Sequence, residues 1–401
     1  MIYTIYPEKD ATIYEKSESM NTGTDSLLEL MHESTQVSKS YNSRILMKFD
    51  VSDIENRVNA GKISQNAKYY LALKSVDARE IPQEYTIYAY PLSSSWTNGT
   101  GKMSHKPVTT DGVSWKYRTS KVVGSEWEIP PQVASWEWDN LSQTWVDANI
   151  LWGGNITADV TSSYYSKKGG GTWWDYDNLE CSQVFSYQTA DVYMDVTNII
   201  KKWITGSGRF QNDGMLIKFS DELEKTPQSL ASLKFFGTDS NTIYVPRLHV
   251  VWDDSSYSTG SLSNAALENL NINVRLKKNY AESEKAKIRI YANTRYPQKN
   301  YTTQSYQTTN YYLPSSSYYE IRDAHTDEII LPFDTTGSKI SCDSTSNYFN
   351  LWMNSLQPER FYRVVLKVES SGGDNVQVFD NNYYFKVTRW VITYKEILLV
   401  Q

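Results

Sequence analysis

Apolar and polar residues alternate with a period of two along most of the chain, the pattern of half-buried strands whose side chains point to opposite faces. It is plain in Tyr3-Thr4-Ile5-Tyr6, Arg44 to Phe49, Tyr69 to Leu73, Thr86 to Tyr90 and Arg247 to Trp252. Turn-forming clusters such as Thr97-Asn98-Gly99-Thr100-Gly101 and Lys168-Gly169-Gly170-Gly171 separate the runs. No helices are regularly interposed, which argues against a βαβ sheet and predicts an all-β chain built of sandwiches. Two short helices are expected as lids. One spans Thr197 to Ile204, capped by Asp195 or Thr197, with Ile199, Ile200, Trp203 and Ile204 on one face and Lys201 and Lys202 toward solvent. The other spans Ser52 to Val58, with Asp53 and Glu55 near the positive end of its dipole.

The polar, small-residue stretch that follows Trp252 marks a domain boundary. Residues 1–253 form the first domain, 254–264 a linker, 265–388 a second sandwich and 389–401 a terminal strand or contact tail. Strand patterns at Leu270 to Leu276, Ala286 to Tyr291, Tyr319 to Arg322, Tyr348 to Leu351, Phe361 to Leu366 and Tyr383 to Val387 suit an immunoglobulin-like β-sandwich. Only Cys342 falls in this region, so that fold's inter-sheet disulfide is not expected.

Composition narrows the function. The 401 residues carry a net charge of −6, which supplies no overall basic field and counts against a dedicated nucleic-acid binder. Aromatics make up 14%, with 31 Tyr and 13 Trp, enough to build cores that offset chain entropy. No stretch approaches the ~20 apolar residues of a membrane span, so membrane insertion is not expected. The opening residues lack a basic then apolar leader, so export by an ordinary signal is not expected either. Two cysteines, Cys181 and Cys342, exclude a disulfide scaffold and a cysteine-based zinc site, and fit buried thiols in a reducing cytoplasm.

The search for chemistry returns little. His32, His105, His249 and His325 have no metal-pair spacing, no nucleophile elbow or phosphate loop is present, and no enzyme is expected. His249 reads as a half-buried sheet residue. Trp136-Glu137-Trp138-Asp139 and Trp173-Trp174-Asp175 set rings beside acids, which serves either packing and subunit contact or stacking on sugars. A pair of carboxylates on a β scaffold keeps a polysaccharide-active enzyme as a third reading. The Tyr-rich segment Arg295 to Ser317, with Tyr301, Tyr306, Tyr311 and Tyr312, is either a contact arm or a long hairpin on its own domain. The apolar end around Trp390, Ile392 and Leu398 is either a last strand or one donated to a neighbour's sheet. Asn21-Thr22-Gly23-Thr24-Asp25 is either a plain turn or, with further oxygens from Asp191 to Asp195, a structural calcium loop. No other cofactor is expected.

The ordered motifs Asp10-Ala11-Thr12-Ile13-Tyr14, Asn21-Thr22-Gly23, Leu28-Glu29-Leu30, Arg44 to Asp50, Asn66 to Leu73 and Tyr88 to Leu92 continue through Trp96, Asp195-Val196-Thr197, Trp203, Gly214 to Lys218 and Pro246-Arg247-Leu248. Together they resemble the DNRLRE-type domain, which implies a jelly-roll β-sandwich akin to carbohydrate-binding modules over residues 1–253. The insertion between Trp96 and Asp195 is longer than that family's pattern. The whole chain is similar to virion structural proteins of large tailed bacteriophages, including crAss-like phages. That likeness implies a non-enzymatic, oligomeric ring or collar component of the tail or neck, assembled in the bacterial host cytoplasm with copies of itself and neighbouring virion proteins. The alternative is a glycan-binding adhesin that recognises the host cell surface.

Overall fold

The computed structural model describes residues 1–36, 39–79, 81–127, 136–139, 144–147, 155–158, 169–175, 179–186, 190–205, 211–225, 231–264, 270–296, 310–370 and 375–389. The chain is all-β, and contacts divide it into Ile5–His249 and a second unit made of Met1–Thr4 with Val250 onward. Alternation alone does not reveal that the first four residues go with the second unit.

The strands up to the boundary are β1 (Ile2–Ile5), β2 (Pro7–Tyr14), β3 (Leu27–Gln36), β4 (Lys39–Phe49), β5 (Lys68–Leu73), β6 (Ser75–Arg79), β7 (Glu84–Pro91) and β8 (Trp136–Asp139). There follow β9 (Thr144–Asp147), β10 (Asn155–Ala158), β11 (Thr172–Asp175), β12 (Cys181–Ser186), β13 (Val192–Asp195), β14 (Met215–Phe219), β15 (Ala231–Phe236) and β16 (Arg247–Val251). The large sheet runs β12-β7-β14-β4-β3-β15-β6 with β2 on β4, and β13-β5-β16 belong to the other sheet of the sandwich. Register aligns Ile45, Ile217 and Ala89 on one face of the large sheet, and Leu46, Leu216 and Tyr90 on the other. Every residue of β14 is buried, so this strand is covered on both faces.

The second cover comes from the long insertion. Trp96, Val113, Trp115, Trp127 and Trp173 pack on Ala11, Ile13, Leu46 and Leu216, a second core outside the sandwich. Asn21 ties the insertion down. Its amide Nδ2 donates to the carbonyls of Asn98 (2.7 Å) and Val113 (2.8 Å), while its Oδ1 accepts from the Gly101 N–H at 2.7 Å. Asp25 in the same turn accepts from the Met103 N–H at 3.1 Å. Asn21 and Asp25 of this turn are thus both hydrogen-bonded to the loop they face.

Helix α1 (Ser52–Asn59) buries Ile54, and α2 (Thr197–Ile204) buries Ile199, Ile200 and Trp203, leaving Lys202 exposed. The Asp195 carboxylate accepts from the Thr197 N–H at 2.9 Å, and the Thr197 hydroxyl instead accepts from the Tyr69 N–H at 2.9 Å. Asp195 therefore anchors the start of the helix, and Thr197 ties it to β5.

The second unit holds β17 (Ser263–Asn264), β18 (Leu270–Arg275), β19 (Asn279–Ala281), β20 (Lys285–Thr294), β21 (Tyr311–Tyr312) and β22 (Ser317–Asp323). It continues with β23 (Ile329–Leu331), β24 (Ser341–Cys342), β25 (Asn347–Trp352), β26 (Phe361–Glu369) and β27 (Val376–Thr388). One sheet runs β17-β21-β20-β25-β24 with β18 on β20, and the other runs β19-β27-β26-β22-β23. They pack face to face. Tyr319 of β22 stacks on Phe349 of β25 with ring centroids 4.1 Å apart. Tyr3 meets Trp352 edge-on, and the Thr4 N–H donates to the Ser355 hydroxyl. The segment after Trp252 runs along this unit: Tyr257 bridges Cys342, and β17 pairs in parallel with β21.

Both cysteines are buried free thiols, and burial pushes Cys181 up to about 12 and Cys342 to about 11. His249 is fully rather than half buried, and neither ring nitrogen has a hydrogen-bond partner among the described residues. Burial, helped by Arg247, lowers its pKa to about 3. The unfolded chain takes up this proton near pH ~6.5 and the folded one only near 3, so its contribution to stability is lost as pH falls through that window. Asp10 opposes it, because burial raises its carboxyl to about 6 despite hydrogen bonds from Thr238. His249→Leu should therefore flatten the acid limb of a melting-temperature profile between about pH 6.5 and about pH 4, and an unchanged slope would show that His249 titrates normally.

Candidate functional site

Among the described residues the insertion covers the centre of the large sheet, and the β7–β12 side carries half-buried and exposed positions. On β7, Tyr85, Ile87 and Ala89 point into the sandwich, so Glu84, Thr86, Tyr88 and Tyr90 point outward. Beside them β12 presents Val184, which is 66% exposed, and Glu180 precedes that strand. Helix α3 (Asp221–Lys225) adds Glu222, and Trp173 of β11 is joined to the sheet by a bridge between its backbone and that of Leu92. Together these residues line an open groove of about 580 Å³.

Three rings form a continuous row in it. Tyr88 and Tyr90 are stacked with centroids 6.0 Å apart, and Tyr90 and Trp173 are tilted at 5.7 Å. The Tyr90 hydroxyl donates to Glu180 at 3.1 Å. Among the described residues Glu84, Glu180 and Glu222 are the charged groups lining the groove, so these present acceptors and no cation at its surface.

Beneath Trp173 lies a buried charge cluster. Arg44 is wholly buried on β4 and meets Glu224 with both ends of its guanidinium, Nε at 3.2 Å and Nη2 at 2.6 Å. Its Nη1 donates to the Gly170 carbonyl at 2.8 Å. Lys218 of β14, also buried, reaches the same carboxylate at 3.2 Å. The guanidinium carbon lies 5.1 Å from the Trp115 ring centre and 5.4 Å from that of Trp173, and Lys218 is 5.4 Å from Trp173. The glycine run makes this approach feasible. A Cβ on Gly170 would stand 2.7 Å from the Arg44 guanidinium, and one on Gly171 2.4 Å from Leu216, both at positive φ. Glu222 and Glu224 sit on one short helix, so the segment that neutralises the buried cations also presents an acid to the groove.

Of the ring residues singled out from sequence, Trp173 forms one end of the row and is 5% exposed, while Trp174 next to it is half-buried. Trp136 and Trp138 lie on β8, paired with Asp147 and Trp145 of β9, and their side chains fall outside the described residues. Tyr311 and Tyr312 are held within their own unit. The Tyr311 hydroxyl accepts from Thr294, and Tyr312 meets Tyr257 edge-on. Tyr301, Tyr306, Trp390, Ile392 and Leu398 lie outside the described residues. Sequence reasoning missed Tyr88, Tyr90, Glu180 and Glu222 as site residues. The signal for the tyrosines was present, two rings at alternate positions of one strand, but the same alternation also fits plain sheet packing.

No family model, curated protein or solved structure matches the chain. Among the described residues no group of three or more His, Cys, Asp or Glu is placed to hold a metal ion, and no helix is long and apolar enough to cross a membrane.

Removing Glu224 would take away the carboxylate that two buried cations share. Glu224→Ala should cost ~3–5 kcal/mol in denaturant unfolding, and replacing Arg44, Lys218 and Glu224 together by Met, Met and Leu should cost less, since the buried charges are then removed along with their shared carboxylate. Equal losses in the two variants would show that the cluster is not electrostatically coupled.

Proposed function

We propose that the first unit is a non-catalytic saccharide-binding β-sandwich that grips a neutral glycan in the groove along Tyr88, Tyr90 and Trp173. One observation carries this reading: a row of two half-buried tyrosines ending on the buried Trp173, flanked by carboxylates in the groove along β7 and β12. Ring faces cover the apolar C–H faces of a sugar, and ionised carboxylates, which only accept, suit a ligand rich in hydroxyl donors. A quaternary ammonium ligand would also favour rings and acids, but it is held by a cage of rings around one point, whereas these rings extend in a row. The reading agrees with the carbohydrate-binding resemblance of residues 1–253 and with the adhesin alternative. A screen of neutral polysaccharides followed by calorimetry tests it. The double variant Tyr88→Ala, Tyr90→Ala should weaken binding by about tenfold or more, equivalent to ~1.4 kcal/mol, while circular dichroism shows the fold retained. Preference for a trimethyl-lysine peptide, shortening of the polysaccharide during incubation, or unaltered affinity in the variant would overturn the proposal.

A second reading, self-assembly as a structural component of a phage particle, draws support from the second unit. Phe361, Val376, Val378 and Tyr384 lie on the outward face of β26 and β27, each between 44% and 59% exposed. Such a run suits contact with another copy. Light scattering on the purified chain should show an oligomer that Val378→Lys shifts toward monomer. A monomer at every concentration would remove this reading.

A further inference from the structure

The second unit carries a feature of opposite charge. On β20, Ala286, Ile288 and Ile290 are buried, so Lys285, Lys287 and Arg289 share the solvent face at intervals of ~7 Å. Register places Arg275 of β18 directly opposite Arg289. With Lys277 these residues line a groove of about 390 Å³ in which five cations meet one carboxylate, Glu284. Like charges directly opposed across a sheet are destabilising.

The partners available do not balance the stripe. Lys277 pairs with Glu284 at 2.6 Å, and Lys287 and Arg289 share Asp343 at 3.0 and 3.1 Å. Burial tends to raise the Asp343 carboxyl, but hydrogen bonds from Arg289 and Lys287 and from backbone N–H groups outweigh it and hold the group well below the usual carboxylate range. Arg275 and Lys285 have only aromatic partners among the described residues, each 4.9 Å from a ring centre, Tyr291 and Trp352 respectively. Among the described residues two carboxylates thus face five cations, on a protein whose net charge is −6.

We infer that this face binds an anionic polysaccharide, a chain bearing carboxylate or sulfate groups at regular spacing. Single-stranded nucleic acid needs free ring faces on which bases stack. Here the rings are taken by the protein's own cations: Arg275 covers Tyr291, Lys285 covers Trp352 and Lys287 covers Tyr348 at 3.6 Å. The exposed amides of Asn271 and Asn273 share the face with Arg275 and add donors and acceptors for hydroxyl groups. The site lies in a different unit from the neutral-glycan groove and does not depend on it.

Binding of the full chain to dextran sulfate, polygalacturonate, neutral dextran and a single-stranded oligonucleotide of matched charge tests the inference, and the first two distinguish sulfate from carboxylate. One or both anionic polysaccharides should bind at about 50 mM salt and weaken steeply by about 200 mM, as ion-release binding requires. The triple variant Arg275→Gln, Lys277→Gln, Lys285→Gln should bind about tenfold or more weakly with its melting temperature retained. Should that variant misfold, Lys285→Glu alone gives the same direction. The variant Tyr88→Ala, Tyr90→Ala should bind as the parent does. Failure of both polysaccharides, unchanged affinity in the charge variants, equal binding of neutral dextran, or tighter binding of the oligonucleotide would each overturn the proposal.

Discussion

A guanidinium cannot be taken out of water without a counter-charge and a full set of acceptors, and the first unit is organised around meeting that demand for Arg44. Glu224 supplies the carboxylate, Gly170 a carbonyl, and Trp115 and Trp173 the ring faces, from segments far apart in the chain. Because Lys218 leans on the same carboxylate, helix α3 must be in place before either cation can be buried. The insertion therefore closes over the sheet only as a complete set of contacts. This coupling explains why a surface that would otherwise be a solvated sheet face carries a four-tryptophan core.

The groove lies beside that covered region, along β7 and β12. Trp173 belongs to both structures, as a wall of the buried cluster and as the buried end of the half-buried row that begins at Tyr88. Its position is held by packing, which favours a preformed binding surface, since little side-chain freedom remains to be lost when a ligand arrives. The opposite polarity of the two units, acidic at this groove and basic along β20, shows why a net charge of −6 says little about any one site. A stripe of five cations is small against 40 basic and 46 acidic residues, yet a ligand responds to the local field within a Debye length.

Much of the architecture is legible in the chain. The alternation at Thr86 to Tyr90 and Ala286 to Tyr291 marks β7 and β20, and the spacing of Ile199, Ile200 and Trp203 marks α2, because burial of one face imposes the period of the local backbone. Asn21-Thr22-Gly23 is readable as a turn. What it clamps is not, since its partners Asn98, Gly101 and Val113 lie at least 77 residues away. Long-range hydrogen bonds leave no local period.

The sequence by itself determined that the protein is built of β-strands in sandwiches, since strand periodicity is a property of adjacent residues. Only the tertiary structure decided which ring and charge patterns face solvent. Trp173 and Trp174 are adjacent in the chain, yet only Trp173 lines the groove, while Tyr88 and Tyr90 gain their setting from Glu180 and Glu222 on other elements. Arg44 and Lys218 look in sequence like the polar members of alternating strands, and each would be solvated if its sheet face stayed open. The insertion covers that face, and the cost of burying charge is offset by the carboxylate of Glu224 that both cations reach.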